Sequence, residues 1–187
     1  MKTILCIVGL TCSGKNTVAM YLKDKYDINT VCSYTTRPIR SNETNGIEHY
    51  FISDEAMNIL ELRNDIIAKV TFPKTGYRYC TTLDSLSENI TSFVIEPSGV
   101  EYIKNNFPDI RIISVYVNIS LDILEARVKS RGDNWTDFDN RLTGEFSMFE
   151  KFRLNEEYDY LVNNFDSLES LYISVDLIME DVGELNV

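Results

Sequence analysis

A loop rich in glycine near the start of the sequence is the feature best suited to chemistry. Residues 9–15 read GLTCSGK, the spacing G-x-x-x-x-G-K, and follow the apolar run 3–8. In that setting the backbone N–H groups of a tight glycine turn surround an anion, and the following helix points its positive dipole end at the same place. Lys15 would reach the outer phosphates of a nucleoside triphosphate. The candidate contacts are Gly9, Thr11, Cys12, Ser13, Gly14, Lys15, Asn16 and Thr17.

The residue after the lysine bears on metal binding. The usual pattern places Ser or Thr there, because a hydroxyl can bind Mg²⁺. Here Asn16 holds that position and Thr17 follows. Either the Asn16 amide oxygen serves as a ligand, or water and phosphate oxygens hold most of the metal, since Mg²⁺ dehydrates reluctantly. We predict a Mg²⁺ site with Asn16 and Thr17 as candidate ligands.

Two groups of arginines could handle further phosphate groups. Arg37 and Arg40 lie in a polar loop after the second predicted strand, and the later group consists of Arg127, Arg131 and Arg141. Phosphoryl transfer between two anions needs cations that hold the acceptor phosphate and others that stabilise the transferred group. The alternative is a solvated helix face on which Arg127 and Arg131 pair with neighbouring acids. Beside a phosphate loop, the catalytic interpretation is favoured.

Composition limits the class of protein. With 187 residues, the chain is expected to form a single domain. A formal charge of −11 argues against nucleic-acid and anionic-membrane surfaces, which need basic patches. The four cysteines lie far apart and there is one histidine, so we expect neither a zinc site nor a disulfide framework. The apolar opening is too short for a signal peptide or a membrane span, which favours a soluble, cytoplasmic protein.

The remaining pattern alternates strands and helices. A helix is predicted over 15–25, strand-like segments near 30–53 and 66–82, and buried parallel strands over 91–96 and 110–117. Helices over 98–106 and 120–130 link them. This order predicts right-handed βαβ units and a parallel sheet. The acidic segment Met179–Glu184 is predicted to be a frayed terminus.

Several segments together resemble the guanylate kinase family. SYTTRPIR and ETNGIEHYF resemble its acceptor-binding signature, S-x-T-T-R-x-P-R followed by G-E-x-x-G and a strand containing Tyr. GYRYCT resembles G-x-Y-Y-G-[ST], RVKSRG followed by NRL resembles the lid, and YDYLVNN resembles the late strand Y-D-Y-x-x-x-N. The segments occupy residues 33–40, 43–51, 76–81, 127–132, 140–142 and 158–164, in the family's order.

The resemblance implies a P-loop NTPase fold, three-layer α/β/α with a parallel core sheet, a small mixed α/β acceptor-binding insertion and a helical lid. It divides the single domain into a core of 1–33, 85–125 and 143–187, an insertion of 34–84 and a lid of 126–142. Lys15, Arg37 and the three later arginines would be catalytic, and Asn164 would lie near the adenine of ATP. The implied acceptor-binding residues are Ser33, Arg37, Arg40, Tyr50, Tyr79, Thr81 and Glu96.

The sequence departs from the family at the acceptor base. The acid that contacts guanine in the family aligns with Ala68, and of two later acids only Glu96 remains. The phosphate-contacting Tyr aligns with His49 by strict register, or with Tyr50 if one residue is inserted. Phosphate binding is therefore expected to be largely preserved, while base recognition is altered.

The activity implied is transfer of the γ-phosphate of ATP, with Mg²⁺, to GMP, dGMP or a related nucleotide. One alternative is a kinase of the same fold with another acceptor, either a different deoxynucleoside monophosphate or ribose 1,5-bisphosphate. The other is a catalytically silent guanylate-kinase-like interaction module, although such modules typically lose the phosphate loop that this chain keeps. The expected partner is a nucleoside monophosphate, with no nucleic acid or membrane and a possible homo-oligomer.

Overall fold

The structure is a computed structural model that describes residues 2–40, 43–72, 75–131 and 135–184. Within these ranges, strands and helices alternate along most of the chain. The strands are β1 (Thr3–Val8), β2 (Ser33–Thr35), β3 (His49–Phe51), β4 (Ile66–Thr71), β5 (Arg78–Thr82), β6 (Ile90–Val94), β7 (Arg111–Asn118) and β8 (Tyr160–Asn163). The helices are α1 (Lys15–Tyr26), α2 (Asp54–Leu60), α3 (Pro97–Asn106), α4 (Leu121–Arg131), α5 (Trp135–Leu154) and α6 (Leu168–Glu184).

The core sheet has the order β6-β1-β7-β8, and all its neighbouring strands are parallel. Side chains of β1 alternate between its two faces. Ile4 and Cys6 join a cluster with residues of α3, α4 and α5, while Leu5 and Ile7 join one with residues of α1 and α6. Helices therefore cover both faces, which confirms the predicted three-layer arrangement with a parallel core sheet.

A second, mixed sheet has the order β3-β2-β5-β4. Its β2–β3 pair is parallel, whereas β5 is antiparallel to both β2 and β4. Helix α2 packs on this sheet through the fully buried Met57. Its first turn is capped by Ser53, whose Oγ accepts from Ala56 N at 3.2 Å. Apart from Ser33 at the start of β2, the sheet lies within the segment 34–84 that is predicted as the acceptor-binding insertion. The boundaries of core, insertion and lid stay predictions.

The prediction of a frayed terminus over Met179–Glu184 is wrong. Helix α6 continues to Glu184, and Val182 is 1% exposed. Val182 packs in the same cluster as Leu171 and Val175. Apolar residues recur at helical spacing along this segment, so Glu180 and Asp181 occupy the exposed face of a packed helix.

Candidate active site

The predicted phosphate loop, residues 9–15, lies at the carboxyl edge of the core sheet. Strand β1 leads directly into it, and β6 ends beside it, where Ile95 N donates to the carbonyl of Ile7 at 3.2 Å. Glu96 follows and begins helix α3 as its N-cap residue. Ligands of open α/β sheets bind outside the carboxyl ends of the strands. The fold therefore brings the phosphate loop and Glu96 to one edge.

Two glycines are required by close approaches in the loop. Gly14 has a φ of 105°, and a Cβ there would lie 2.4 Å from Asn164 Nδ2. A Cβ at Gly9 would lie 2.6 Å from the carbonyl oxygen of Val117. Any larger residue at either position would displace a neighbour, and Gly14 also has backbone torsions that L side chains avoid. The loop thus forms the tight glycine turn that its spacing predicts.

Lys15 and Ser13 fit a bound phosphate chain. Lys15 Nζ donates to the carbonyl oxygens of Gly9 at 2.7 Å and Leu10 at 2.8 Å, so the ammonium lies over its own loop. Ser13 is fully buried, and among the described residues its Oγ finds no hydrogen-bond partner. A buried hydroxyl without a partner costs free energy, which a phosphate oxygen in the loop would recover.

The candidate metal ligands occupy the first turn of α1. Asn16 is exposed and Thr17 is partly buried. Both offer neutral oxygen atoms of the kind Mg²⁺ accepts. In the described ranges, no group of three or more His, Cys, Asp or Glu side chains is placed to hold a metal ion. The residues fit a cation held mainly by water and phosphate oxygens, with Asn16 or Thr17 as a supplementary ligand.

Arg127 of α4 lies on the phosphate loop. Its Nη1 is 3.4 Å from the Cys12 carbonyl oxygen and 3.3 Å from that of Ser13, and its Nη2 donates to Asn164 Oδ1 at 3.1 Å. On the described surface of the same helix, Lys129 pairs with Glu125 at 2.9 Å. Arg127 thus lies beside the predicted donor site, and its catalytic role stays a prediction.

Arg131 ends α4 and Arg141 lies within α5. The side chains of both residues are outside the described part of the structure. Their convergence on the transferred phosphate stays a prediction.

A cavity of about 620 Å³, here named the acceptor cavity, opens between the second sheet and the core sheet. Strands β4 and β5 line one side, and the end of β6 with the start of α3 lines the other. Four of the predicted acceptor-binding residues contribute to it, and so does the alanine at the position of the family's acid. These residues are Ser33, Tyr79, Thr81, Glu96 and Ala68.

His49 and Tyr50 lie on opposite faces of strand β3. His49 lines the acceptor cavity, with its Nδ1 3.0 Å from Ser33 Oγ. Tyr50 points to the opposite face, where its ring stacks on Tyr34 with centroids 5.0 Å apart. Burial, with a smaller contribution from the Arg37 charge, lowers the pKa of His49, so that its imidazole is neutral at pH 7. His49, and not Tyr50, therefore faces the acceptor cavity, while the residue that contacts the acceptor phosphate stays a prediction.

Arg37 forms a buried ion pair that sequence reasoning missed. Its Nη1 and Nη2 donate to the Glu43 carboxylate at 2.9 and 2.8 Å, and its Nε donates to Tyr79 Oη at 3.0 Å. Both side chains of the pair are 9% exposed. Hydrogen bonding to Arg37 lowers the pKa of Glu43 to about 2. Arg40 is 66% exposed and lies 3.9 Å from the same carboxylate, so it has more freedom to meet an incoming phosphate.

Comparison with known proteins agrees with this geometry. The family model for guanylate kinase matches residues 1–182. The chain belongs to the guanylate kinase family. The guanylate kinase of Histophilus somni is 30% identical over 173 residues, which cover 85% of this chain and 78% of that protein. That of Prochlorococcus marinus is 29% identical over 178 residues, covering 91% and 94%.

The fold of this family member has a counterpart of known structure. A crystal structure of guanylate kinase from Anaplasma phagocytophilum matches with a TM-score of 0.66 at 23% identity, covering 98% of this chain and 86% of that one. The predicted P-loop α/β fold is thereby confirmed. Membership in a family of nucleoside monophosphate kinases confirms the predicted enzyme class. Among the described helices, none is both long and apolar enough to span a membrane.

Proposed function

We propose that this protein transfers the γ-phosphate of ATP to the phosphate of a nucleoside monophosphate, with GMP and dGMP among its acceptors. The observation that supports this most strongly is the position of the acceptor cavity. It opens at the carboxyl edge of the core sheet, where Glu96 lies beside the phosphate loop. A donor in the loop and an acceptor in the cavity would meet at that edge.

The chemistry requires positioning and charge stabilisation more than proton transfer. A monophosphate acceptor is already anionic, so the protein needs little general-base assistance. Lys15 and the loop N–H groups would bind the donor phosphates, while Arg127, Arg131 and Arg141 would stabilise the charge of the transferred group. Mg²⁺, when bound, would neutralise part of the charge on the donor phosphates.

The acceptor phosphate would be held at the second sheet. Arg37 is fixed in place by Glu43, and Tyr79 accepts a hydrogen bond from Arg37, so these groups are ordered before a ligand arrives. Arg40 would add a mobile charge. Ser33, His49 and Thr81 offer uncharged polar groups inside the cavity. This arrangement would fix an acceptor with few rearrangements.

A second candidate function follows from Ala68. A carboxylate facing guanine can accept two N–H groups of the base, whereas a methyl group accepts none, so the cavity lacks this element of base selection at Ala68. This favours an enzyme that also takes other nucleoside monophosphates or ribose 1,5-bisphosphate. In either case the phosphate loop, with Lys15 in place, supports catalysis over a silent interaction module.

An ADP-release assay tests both candidates. The purified protein receives ATP, Mg²⁺ and one acceptor at a time from a panel of ribo- and deoxynucleoside monophosphates and ribose 1,5-bisphosphate. We expect acceptor-dependent ADP release with GMP and dGMP, and measurable release with further bases. ADP release that no acceptor increases would contradict the proposal. A single preferred acceptor without guanine would select the second candidate.

A further inference from the structure

The side-chain amide of Asn164 connects the phosphate loop to Arg127. Its Nδ2 donates to the Ser13 carbonyl oxygen at 2.7 Å, and its Oδ1 accepts from Arg127 Nη2 at 3.1 Å. The residue is 3% exposed. Its backbone N–H donates to the carbonyl oxygen of Asn118 at 2.9 Å, which extends the β7–β8 pairing by one residue. Asn164 is therefore fixed at the carboxyl edge of the core sheet.

Only one orientation of this amide satisfies both neighbours. The Ser13 carbonyl can only accept and the Arg127 guanidinium can only donate, so nitrogen must face the loop and oxygen must face the arginine. Gly14 makes room for this contact, since a Cβ there would lie 2.4 Å from Nδ2. The amide and the loop thus fit each other closely.

Of the contacts that the guanidinium makes with the phosphate loop and with Asn164, the one to Asn164 Oδ1 is the shortest. The contacts of Arg127 with the Cys12 and Ser13 carbonyl oxygens, at 3.4 and 3.3 Å, are longer than typical N–H···O bonds. An arginine side chain has large conformational entropy, so a fixed acceptor reduces the cost of ordering it. Because the amide is neutral, it orients the guanidinium without cancelling its charge, and phosphate oxygens remain stronger acceptors.

We infer that Asn164 is a positioning residue, which holds Arg127 against the phosphate loop so that the guanidinium is oriented before the phosphates arrive. Its importance for catalysis rests on the proposed function. This role differs from the contact with adenine that the family resemblance implies. An amide that is 3% exposed, with its oxygen bonded to Arg127, has little surface left for a base.

The first test measures the order of Arg127 directly. In the full chain without nucleotide, ¹H–¹⁵N relaxation of the Arg127 Nε–H group is compared among wild type, Asn164→Ala and Asn163→Ala. Asn163 is the matched control, because it is the preceding residue, is exposed and bonds instead to Asn118. We expect Arg127 to lose order only in Asn164→Ala. Unchanged relaxation in that variant, when folded, would overturn the inference.

The second test uses kinetics. Asn164→Ala should lower kcat about ten- to hundredfold, and KM for ATP and acceptor should change by less than about threefold. In an Arg127→Ala background the same substitution should have no further effect on kcat. The ratio of kcat/KM for ATP to that for GTP as donor should stay constant. A raised KM for ATP with loss of this donor preference would restore the adenine role and refute ours.

The two tests separate failure of the inference from failure of the proposed function. A wild-type protein inactive with every acceptor would end the kinase proposal, yet relaxation of Arg127 would still decide the positioning role. If Asn164→Ala does not fold, Asn164→Asp keeps the size of the side chain and an acceptor for Arg127. There Arg127 should stay ordered while kcat falls, because the carboxylate pairs with the guanidinium, cannot donate to the Ser13 carbonyl and repels phosphate. Loss of Arg127 order in a folded Asn164→Asp protein would contradict the inference.

Discussion

The donor half of the site and its acceptor half treat their cations differently. In the donor half, formed by the phosphate loop with Arg127 and Asn164, Lys15 and Arg127 lie against neutral oxygen atoms. In the acceptor half, formed by the acceptor cavity with Arg37, Arg40 and Glu43, Arg37 is bound to a carboxylate. A phosphate is a stronger acceptor than a carbonyl oxygen, whereas a carboxylate forms charge-assisted hydrogen bonds of the same kind as a phosphate. An incoming phosphate can therefore displace the carbonyl contacts of Lys15 and Arg127, whereas Arg37 is already held in place by Glu43.

The halves also differ in how closely they follow the family. The donor half keeps both glycines and the lysine of the motif, with Asn16 as its departure. In the acceptor half, the sequence resemblance aligns Ala68 with the family's acid, and His49 or Tyr50 with its tyrosine. All substrates of such an enzyme would share the phosphate chemistry, while the base or sugar differs among acceptors. The difference teaches that the part serving the common chemistry is constrained and the part serving selection is free to vary.

The largest effect is expected from Lys15→Ala in the donor half. Removing the ammonium should lower phosphoryl transfer by about a thousandfold or more, because no other residue of the loop supplies a side-chain cation. The fold should persist, as Lys15 is not part of either core cluster. Steady-state kinetics and circular dichroism measure the two properties. Lys23→Ala, an exposed lysine of the same helix, is the control, and normal turnover in a folded Lys15→Ala protein would refute the kinase assignment.

A second substitution tests Arg131 of the predicted lid, which would act on the phosphate transferred from the donor half. If Arg131 meets the transferred phosphate mainly in the closed state, Arg131→Ala should lower kcat about a hundredfold with a smaller change in KM for the acceptor. Lys129→Ala on the same helix removes an exposed cation paired with Glu125 and should leave kcat close to wild type. A normal kcat with only a raised KM would assign Arg131 to acceptor binding and blur the division between the halves.

The Arg37–Glu43 ion pair of the acceptor half should stabilise the folded protein. Glu43 has a folded pKa of about 2, below its ordinary value of 4.5, so its contribution to stability is present above that ordinary value and is lost as pH falls toward 2. Glu43→Gln should lower the free energy of unfolding at pH 7 by about 2 kcal/mol. Denaturant unfolding at several pH values measures this.

The pH dependence gives the control for the same substitution. The difference in stability between wild type and Glu43→Gln should shrink as pH falls from about 4.5 to about 2, since the wild-type carboxylate is then protonated. Glu101→Gln, an exposed acid of α3, should change little. A difference that stays constant over this range would show that Arg37 is not held by an ionised Glu43.

The smallest effect is expected in the selection of the acceptor's base. The unaltered protein should separate guanine from other bases less sharply than a kinase with the acid in place, and Ala68→Glu should raise the preference for GMP over other monophosphates about tenfold. Ala68→Gln is the matched control, because an amide cannot offer two acceptor oxygens. Ratios of kcat/KM across the acceptor panel measure the change. Strict guanine selectivity in the unaltered protein would show that another residue recognises the base.

The success of prediction from sequence differs between the halves. The phosphate loop depends on a contiguous motif with local geometry, so its position, its glycines and its helix follow from the sequence. The Arg37–Glu43 pair depends on how a polar loop folds, which no periodicity indicates. Likewise, the orientation of His49 and Tyr50 changes with a one-residue shift of register, and only the pairing of β2 with β3 decides it.

Helix α6 shows a different reason for error. Its acidic residues suggested an exposed tail, although Leu171, Val175 and Val182 recur at helical spacing. The prediction followed the acidic composition of the segment. Burial, however, depends on the apolar residues of one helix face and not on the average polarity of the helix. Similarly, the motif that suggested an adenine contact for Asn164 gives its place directly after β8 but not the partners of its amide.

The packing of α6 on β1 has a consequence for folding during translation. Leu5 and Ile7 of β1 share one cluster with Leu171 and Val175 of α6. A ribosome translates from the amino end, so a nascent chain that has just completed β8 has an apolar sheet face that α6 does not yet cover. The donor half would thus acquire its finished core only when α6 emerges, and until then the growing chain is exposed to aggregation and to chaperones.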